Sequence, residues 1–196
     1  MEKKRLEVAM DLDGVLANVT SAVLGRISID SHTPVTLADV DKWDWLTPMG
    51  FAQEYFLKTY CSTWEDYPMN AFEPYERLAG QYIAELCEQH NVDIVTGHNE
   101  SSREAIAAWL KQHKIPYRRL IMHGCFVSKA GLPYDVFVDD SPSFAKKIAA
   151  DPRGRLYFLF DQLYNADVPE TAAVIRIRSL SEITKRLRDM EPANQR

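Results

Sequence analysis

The stretch Val8-Ala9-Met10-Asp11-Leu12-Asp13-Gly14-Val15-Leu16-Ala17-Asn18 decides the reading of the chain, because an apolar, strand-like run ends there in two carboxylates one residue apart. Side chains at i and i+2 of a strand project from the same face, so Asp11 and Asp13 are expected to leave the strand's end together. Two like charges held that close call for a bound cation or a shared proton. Gly14 permits the positive φ that a sharp exit from a strand can require. The same four letters also describe an ordinary turn, so partners downstream must separate a turn from a site. A calcium loop fits poorly: EF-hand spacing puts glycine sixth and glutamate twelfth from the first Asp, whereas here Gly14 is fourth and Ala22 twelfth.

With 196 residues and 46% hydrophobic content, the chain is long enough to bury a substantial core as one domain carrying a modest insertion. Its net charge of −5 provides no general basic field, so a nucleic-acid polymer is not an expected partner, and a small anionic substrate would need a local cation or a metal. Cys61, Cys87 and Cys125 are few, widely spaced and odd in number. That pattern argues against a disulfide framework and a zinc cluster, and makes a reducing cytoplasm the simplest home. The opening Met1-Glu2-Lys3-Lys4-Arg5 is basic, but the apolar run behind it is too short for a signal peptide or a membrane span, so no membrane partner is expected.

Working outward, Leu6 to Met10 reads as a buried strand and Leu16 to Ile29 as an amphipathic helix. From about Asp30 to Asn70 strand alternation is missing, while Trp43, Trp45, Phe51, Tyr55, Phe56, Tyr60, Trp64 and Tyr67 accumulate between Pro34, Pro48, Gly50 and Pro68. This predicts a small helical insertion over the first strand's end. After Pro74, Leu78, Tyr82, Ile83 and Leu86 follow helical spacing, and Val92 to Gly97 reads as a strand ending in a polar turn. Ser101 and Glu104 have capping-box spacing for the next helix, with Ile106, Trp109 and Leu110 as its apolar stripe. Leu120 to Met122 and Tyr134 to Val138 are further strands, the second running into Asp139-Asp140. Ser141 with Pro142 should open a helix directly after those acids. Leu156 to Phe160 and Val174 to Ile177 supply the last strands, Ser181 to Met190 the last helix, and Glu191 to Arg196 should fray. Alternating strands and helices predict an α/β fold, a Rossmann-like three-layer parallel sheet with its ligand site at the strands' carboxyl ends. The core comprises residues 1–16 and 72–196, and residues 17–71 form the helical cap.

Three strand ends therefore carry polar groups on one edge: Asp11 and Asp13, then Thr96, then Asp139 and Asp140, with Lys129 before the last of these strands. In this order the set resembles the haloacid dehalogenase-like phosphohydrolase superfamily, across roughly residues 6–18 and 75–165. In finer detail it resembles the small cytosolic 5'(3')-deoxyribonucleotidase group. That likeness is carried by Asp11 to Ala17, the aromatic insertion, Lys129 ten residues ahead of Asp139, and Leu159-Phe-Asp-Gln-Leu-Tyr-Asn165. Pyrimidine-specific members tend to carry an aromatic residue shortly after the first motif, where this chain reads Asn18-Val19-Thr20.

The resemblance implies a phosphomonoesterase in which Asp11 is the nucleophile and Asp13 the acid and then base, with Thr96, Gly97 and Lys129 binding phosphate. It also implies magnesium, held by Asp11, Asp13, Asp139 and Asp140. Adjacent residues at a strand's end face opposite ways, so Asp139 and Asp140 cannot be equivalent ligands, and the sequence does not choose between them. The implied substrate is a small phosphorylated molecule, a nucleoside and more narrowly a deoxyribonucleoside monophosphate. A sugar phosphate, or nucleotide binding without hydrolysis, are the alternatives, and a homodimer is compatible. His98 invites a role as a base, yet Asp13 already fills it, which leaves a substrate contact or a solvated loop histidine. Most cap aromatics should pack the cap's own core, with Trp43, Trp45 or Phe51 facing the substrate. Tyr164-Asn165 reads as a structural corner.

Overall fold

The computed structural model describes residues 4–43, 45–47, 49–67, 71–125 and 127–190, apart from the side chains of Gln53, Phe56 and Leu57. Residues 1–3, Pro48, Pro68, Asn70, the Phe56 ring and the C-terminal residues expected to fray lie outside the described residues.

Six parallel strands form one sheet: β1 (Glu7–Met10), β4 (Asn91–Thr96), β5 (Arg119–Met122), β6 (Val136–Asp139), β7 (Leu156–Phe160) and β8 (Val174–Ile177), in the order β5-β4-β1-β6-β7-β8. The first strand is central, with Met10 level with Ile94 on one side and Val138 on the other. The order reverses at β1, and such switch points are where open parallel sheets bind ligands.

Alternation along the strands divides the core. Val8, Met10, Val92, Ile94, Val136 and Val138 share one cluster with the apolar stripes of α3 (Ala79–Gln89), α4 (Arg103–Gln112) and α6 (Ser181–Asp189). Ala9, Val95, Phe137, Tyr157 and Leu159 join Phe144, Ala145 and Ile148 of α5 (Pro142–Ala149) in a second cluster. Ser141 caps α5 as its sequence predicts, accepting from the Phe144 amide at 3.3 Å, with Pro142 at the helix start.

Among the described residues, the crossover from β5 to β6 contains a short 3-10 turn, Lys129–Gly131, and no α-helix. Tyr134, further along that crossover, reaches Asp93 of β4, which has 0% exposure. A carboxylate there requires compensation, which Arg118 supplies at 2.9 and 2.8 Å, Arg119 at 3.0 and 2.5 Å, and the Tyr134 hydroxyl at 2.8 Å. Burial works against the Asp93 charge, but these donors prevail and hold its carboxyl well below the usual range.

After β1 the chain leaves the sheet through β2 (Ala17–Asn18), which pairs antiparallel with β3 (Glu73–Pro74) as a two-stranded neck. Between them lie α1 (Thr20–Ser31) and α2 (Gln53–Asp66), and Val23, Leu24, Ile27, Val40, Trp45 and Leu46 form a core belonging to the insert.

Three expectations need correction. The first helix starts at Thr20, not Leu16, because the Leu16 and Ala17 amides both donate to the Leu12 carbonyl to close the turn, and Ala17-Asn18 then serve the neck. Ser101 does not cap α4. A 3-10 turn, Glu100–Ser102, precedes that helix, and the Ser101 hydroxyl donates to Glu65 of α2 at 2.6 Å. Two of the three cysteines are also paired: Cys61 of α2 and Cys125, in the segment after β5, form a disulfide with Cα atoms 6.4 Å apart. Cys87 is free. Cysteine spacing gave no hint because folding, not sequence distance, brings the two segments together.

The disulfide links positions 64 apart and removes about 4 kcal/mol of unfolded-state freedom on the loop-closure model. Reduction is therefore expected to lower Tm by on the order of 10 °C, measured by calorimetry with and without dithiothreitol. For Asp93, a depressed folded-state pKa means its stabilisation is full above about pH 4 and declines as pH falls further. Asp93→Asn should cost about 2–3 kcal/mol in urea unfolding at pH 7, and the gap from wild type should narrow in acid.

Candidate active site

The carboxyl ends of β1, β4 and β6 open into a cavity of about 730 Å³. Asp11 leaves β1 with its amide donating to the Val138 carbonyl at 2.9 Å, which fixes it beside β6. Gly14 follows at φ 78°. A Cβ there would overlap the Asp140 carboxylate, so only glycine allows the turn after β1 to lie against the end of β6.

Lys129 joins two of the strand ends. Its Nζ lies 2.7 Å from Asp11 Oδ2 and 2.8 Å from Asp139 Oδ2. Asp139 Oδ1 accepts from the Ser141 amide at 2.9 Å and the Tyr157 hydroxyl at 3.1 Å. Asp140 points elsewhere: its Oδ2 accepts from the Tyr164 hydroxyl. Tyr164 is held in place by its neighbour Asn165, whose side-chain amide donates to the Asp140 and Phe160 carbonyls at 3.0 and 2.8 Å.

Burial drives the electrostatics. It pushes Asp11 well up, against the pull of Lys129. Burial together with the adjacent Asp139 charge pushes Asp140 up to about 7. Burial also opposes the Asp139 charge, but Lys129 and the Ser141 amide hold that carboxyl below its ordinary value. Lys129 is buried too, and Asp11 and Asp139 raise its pKa despite the desolvation.

Oxygen atoms of Asp11, Asp139 and Asp140 lie within 4.8 Å of one another, so this cluster could hold a metal ion. The donor set is all carboxylate oxygen, which suits a hard divalent cation. The raised Asp11 and Asp140 values show two groups that a cation would help to ionise. The Asp13 side chain, expected in the same set, is engaged elsewhere. Its Oδ1 accepts from Trp64 Nε1 at 2.9 Å, and its Oδ2 bonds to His98 Nε2.

Thr96, with 1% exposure, and Gly97 line the cavity at the end of β4, as does Lys129. His98 also lines it, but with 4% exposure it is not a solvated loop histidine. Its Nδ1 lies 3.3 Å from the Cys61 carbonyl, and its other nitrogen faces Asp13. Burial disfavours the charged ring, yet the Asp13 carboxylate outweighs it and raises the His98 pKa. Trp45 is buried in the insert's core with its edge on the cavity, whereas Trp43 is 42% exposed and meets the Tyr164 ring edge-on at 5.5 Å.

Sequence reasoning missed the hydrogen bond from Trp64, the cysteine pair on the cavity wall and the Tyr164 hydroxyl. No local pattern marks Trp64 among the insert's aromatics. The corner expected at Tyr164-Asn165 describes Asn165 but not Tyr164, whose hydroxyl meets Asp140.

Several solved structures share this fold. A predicted phosphatase from Clostridium acetobutylicum superposes with a TM-score of 0.68 at 12% identity, covering 95% of this chain and all of that one. A haloacid dehalogenase-like hydrolase from Streptococcus pneumoniae gives 0.64 at 12% identity, over 93% and 98% of the two chains. The magnesium-bound structure of YfnB from Bacillus subtilis, described as a HAD-hydrolase, gives 0.54 at 15%, over 94% and 100%. A search of curated protein sequences gave no match. The sequence model of the "5' nucleotidase, deoxy (Pyrimidine), cytosolic type C protein" family matches residues 4–188. The chain therefore belongs to that nucleotidase family of phosphoric monoester hydrolases, built on a haloacid dehalogenase-like fold.

Proposed function

We propose that the protein is a magnesium-dependent phosphomonoesterase that hydrolyses nucleoside monophosphates, deoxyribonucleotides foremost, through an aspartyl-phosphate. One observation carries this reading: Asp11, bound to Lys129 and flanked by Asp139 and Asp140, faces a cavity of about 730 Å³ whose outer wall is aromatic. The acids and the lysine suit a phosphate, and the Trp43, Trp45 and Phe51 side of the wall suits a flat, apolar group attached to it.

Asp11 attacks phosphorus, forming a carboxylate–phosphate bond as the bond to the nucleoside oxygen breaks. Asp13 gives its proton to that leaving oxygen, then takes one from the water that cleaves the aspartyl-phosphate and restores Asp11. Lys129 offsets the charge of the nucleophile and of the transferring group. The Thr96 hydroxyl and the Gly97 amide provide hydrogen bonds to the phosphoryl oxygens. Asp11, Asp139 and Asp140 would hold magnesium, which supplies Lewis-acid charge neutralisation when bound.

Residues 17–71 act as the cap over this centre. Within it, Val19 and Thr20 line the cavity in the stretch where pyrimidine specialists tend to carry an aromatic ring. Base stacking in this reading comes from the Trp43 side instead. We assign the enzyme to the cytoplasm on the cytosolic type of its family alone, since the Cys61–Cys125 bond removes the cysteine argument for a reducing compartment. Among the described residues no helix is long and apolar enough to cross a membrane.

The test is phosphate release from a panel of ribo- and deoxyribonucleoside monophosphates and sugar phosphates. Asp11→Asn should lower kcat by about 10³-fold or more. Near wild-type turnover in that variant would defeat the aspartyl-phosphate route, and sugar phosphates outpacing every nucleotide would defeat the substrate assignment. Removing divalent cations with EDTA should abolish turnover, and added magnesium should restore it.

A further inference from the structure

Asp13 must switch between giving and taking a proton at one spot, and the structure binds both of its oxygens to groups that the proposed mechanism does not use. Trp64 Nε1 donates to Oδ1 at 2.9 Å, and His98 Nε2 meets Oδ2. Both partners are nearly inaccessible, at 2% for Trp64 and 4% for His98.

Their support comes from the insert. Trp64 belongs to α2, and the His98 Nδ1 is satisfied by the carbonyl of Cys61 one turn earlier on the same helix, at 3.3 Å. Residues three apart lie on one helix face, so a single turn of α2 reaches Asp13 by two routes, directly through the indole and indirectly through the imidazole. The indole is held by its own neighbours, with its ring centroid 4.6 Å from that of Phe72 and 5.6 Å from that of Trp109.

We propose that Trp64 and His98 are positioning residues for Asp13, so that the seating of α2 on the core sets the direction in which the acid/base carboxyl points. The proposal rests on the phosphomonoesterase reading above. It adds that the insert shapes the chemical step as well as the substrate pocket. Two hydrogen bonds to the two oxygens leave the carboxyl little freedom to rotate, and an acid that is off line by a fraction of a bond length transfers its proton poorly.

Leaving-group dependence separates this role from a structural one. A nucleoside oxygen must be protonated as it departs, whereas p-nitrophenolate leaves readily without a proton. Because kcat/KM reports only the steps up to phosphoryl transfer, a misdirected Asp13 should depress it for a nucleoside monophosphate far more than for p-nitrophenyl phosphate. Trp64→Phe, which keeps the ring and removes the donor, should lower nucleotide kcat/KM about 10- to 100-fold, with p-nitrophenyl phosphate falling by under about threefold. His98→Ala should show the same asymmetry. His98→Gln, which keeps a donor near the position of Nε2, should recover most of the nucleotide rate.

Asp13→Asn gives the limiting asymmetry for comparison. Equal losses on both substrates, or no loss on either, would overturn the proposal. If His98→Ala does not fold, Trp64→Phe carries the test, since it leaves the packing around Phe72 and Trp109 nearly intact. If the wild-type enzyme ignores nucleotides but turns over a sugar phosphate, the substrate reading fails alone, and the same comparison is made with that alkyl ester.

Discussion

The interaction on which the site depends is the pair of short contacts from Lys129 to Asp11 and Asp139. Three carboxylates gathered within 4.8 Å would repel by on the order of 3 kcal/mol per ionised pair at an effective dielectric of about 20. Burial makes their charged forms costlier still. A single buried ammonium between two of them lets the strands end side by side with their acids facing one point, and it keeps the nucleophile's charge supported. Asp140, on the far side of Asp139, lacks that direct contact and is pushed up to about 7 by burial and by its neighbour's charge. A hard cation among these oxygens would offset what Lys129 leaves unbalanced.

The position of Lys129 follows from topology. After β5 the chain must pass to the other side of β1 to form β6, and among the described residues it does so without an α-helix. The crossover can therefore lie along the carboxyl edge and deliver a lysine there. On the same face of β4 as the apolar Val95, Asp93 is met by two arginines and a tyrosine.

What the sequence made legible was local. Period-two and helical patterns located the sheet strands to within a residue or two, and Asp-x-Asp-Gly, Thr96-Gly97 and Asp139-Asp140 stood out because strand ends are recognisable one at a time. Cooperation between distant segments was not legible. Trp64 reaches Asp13 across 51 positions, His98 reaches it across 85, and Cys61 finds Cys125 across 64. Nothing in the composition around these residues announces their partners. His98 shows this most clearly: its neighbour Thr96 placed it near the site, but only the packing of α2 shows that its two nitrogens face Asp13 and a backbone carbonyl.

The cysteine pair also has a mechanical consequence. The insert meets the core through the β2–β3 neck and through α2, whose Trp64 packs against Phe72 and Trp109 and whose Glu65 accepts from Ser101. The Sγ–Sγ bond from α2 to the segment leading into Lys129 adds a covalent joint. While that bond is intact, the helix that presents Trp64 to Asp13 and the segment that leads to Lys129 keep a fixed distance from one another.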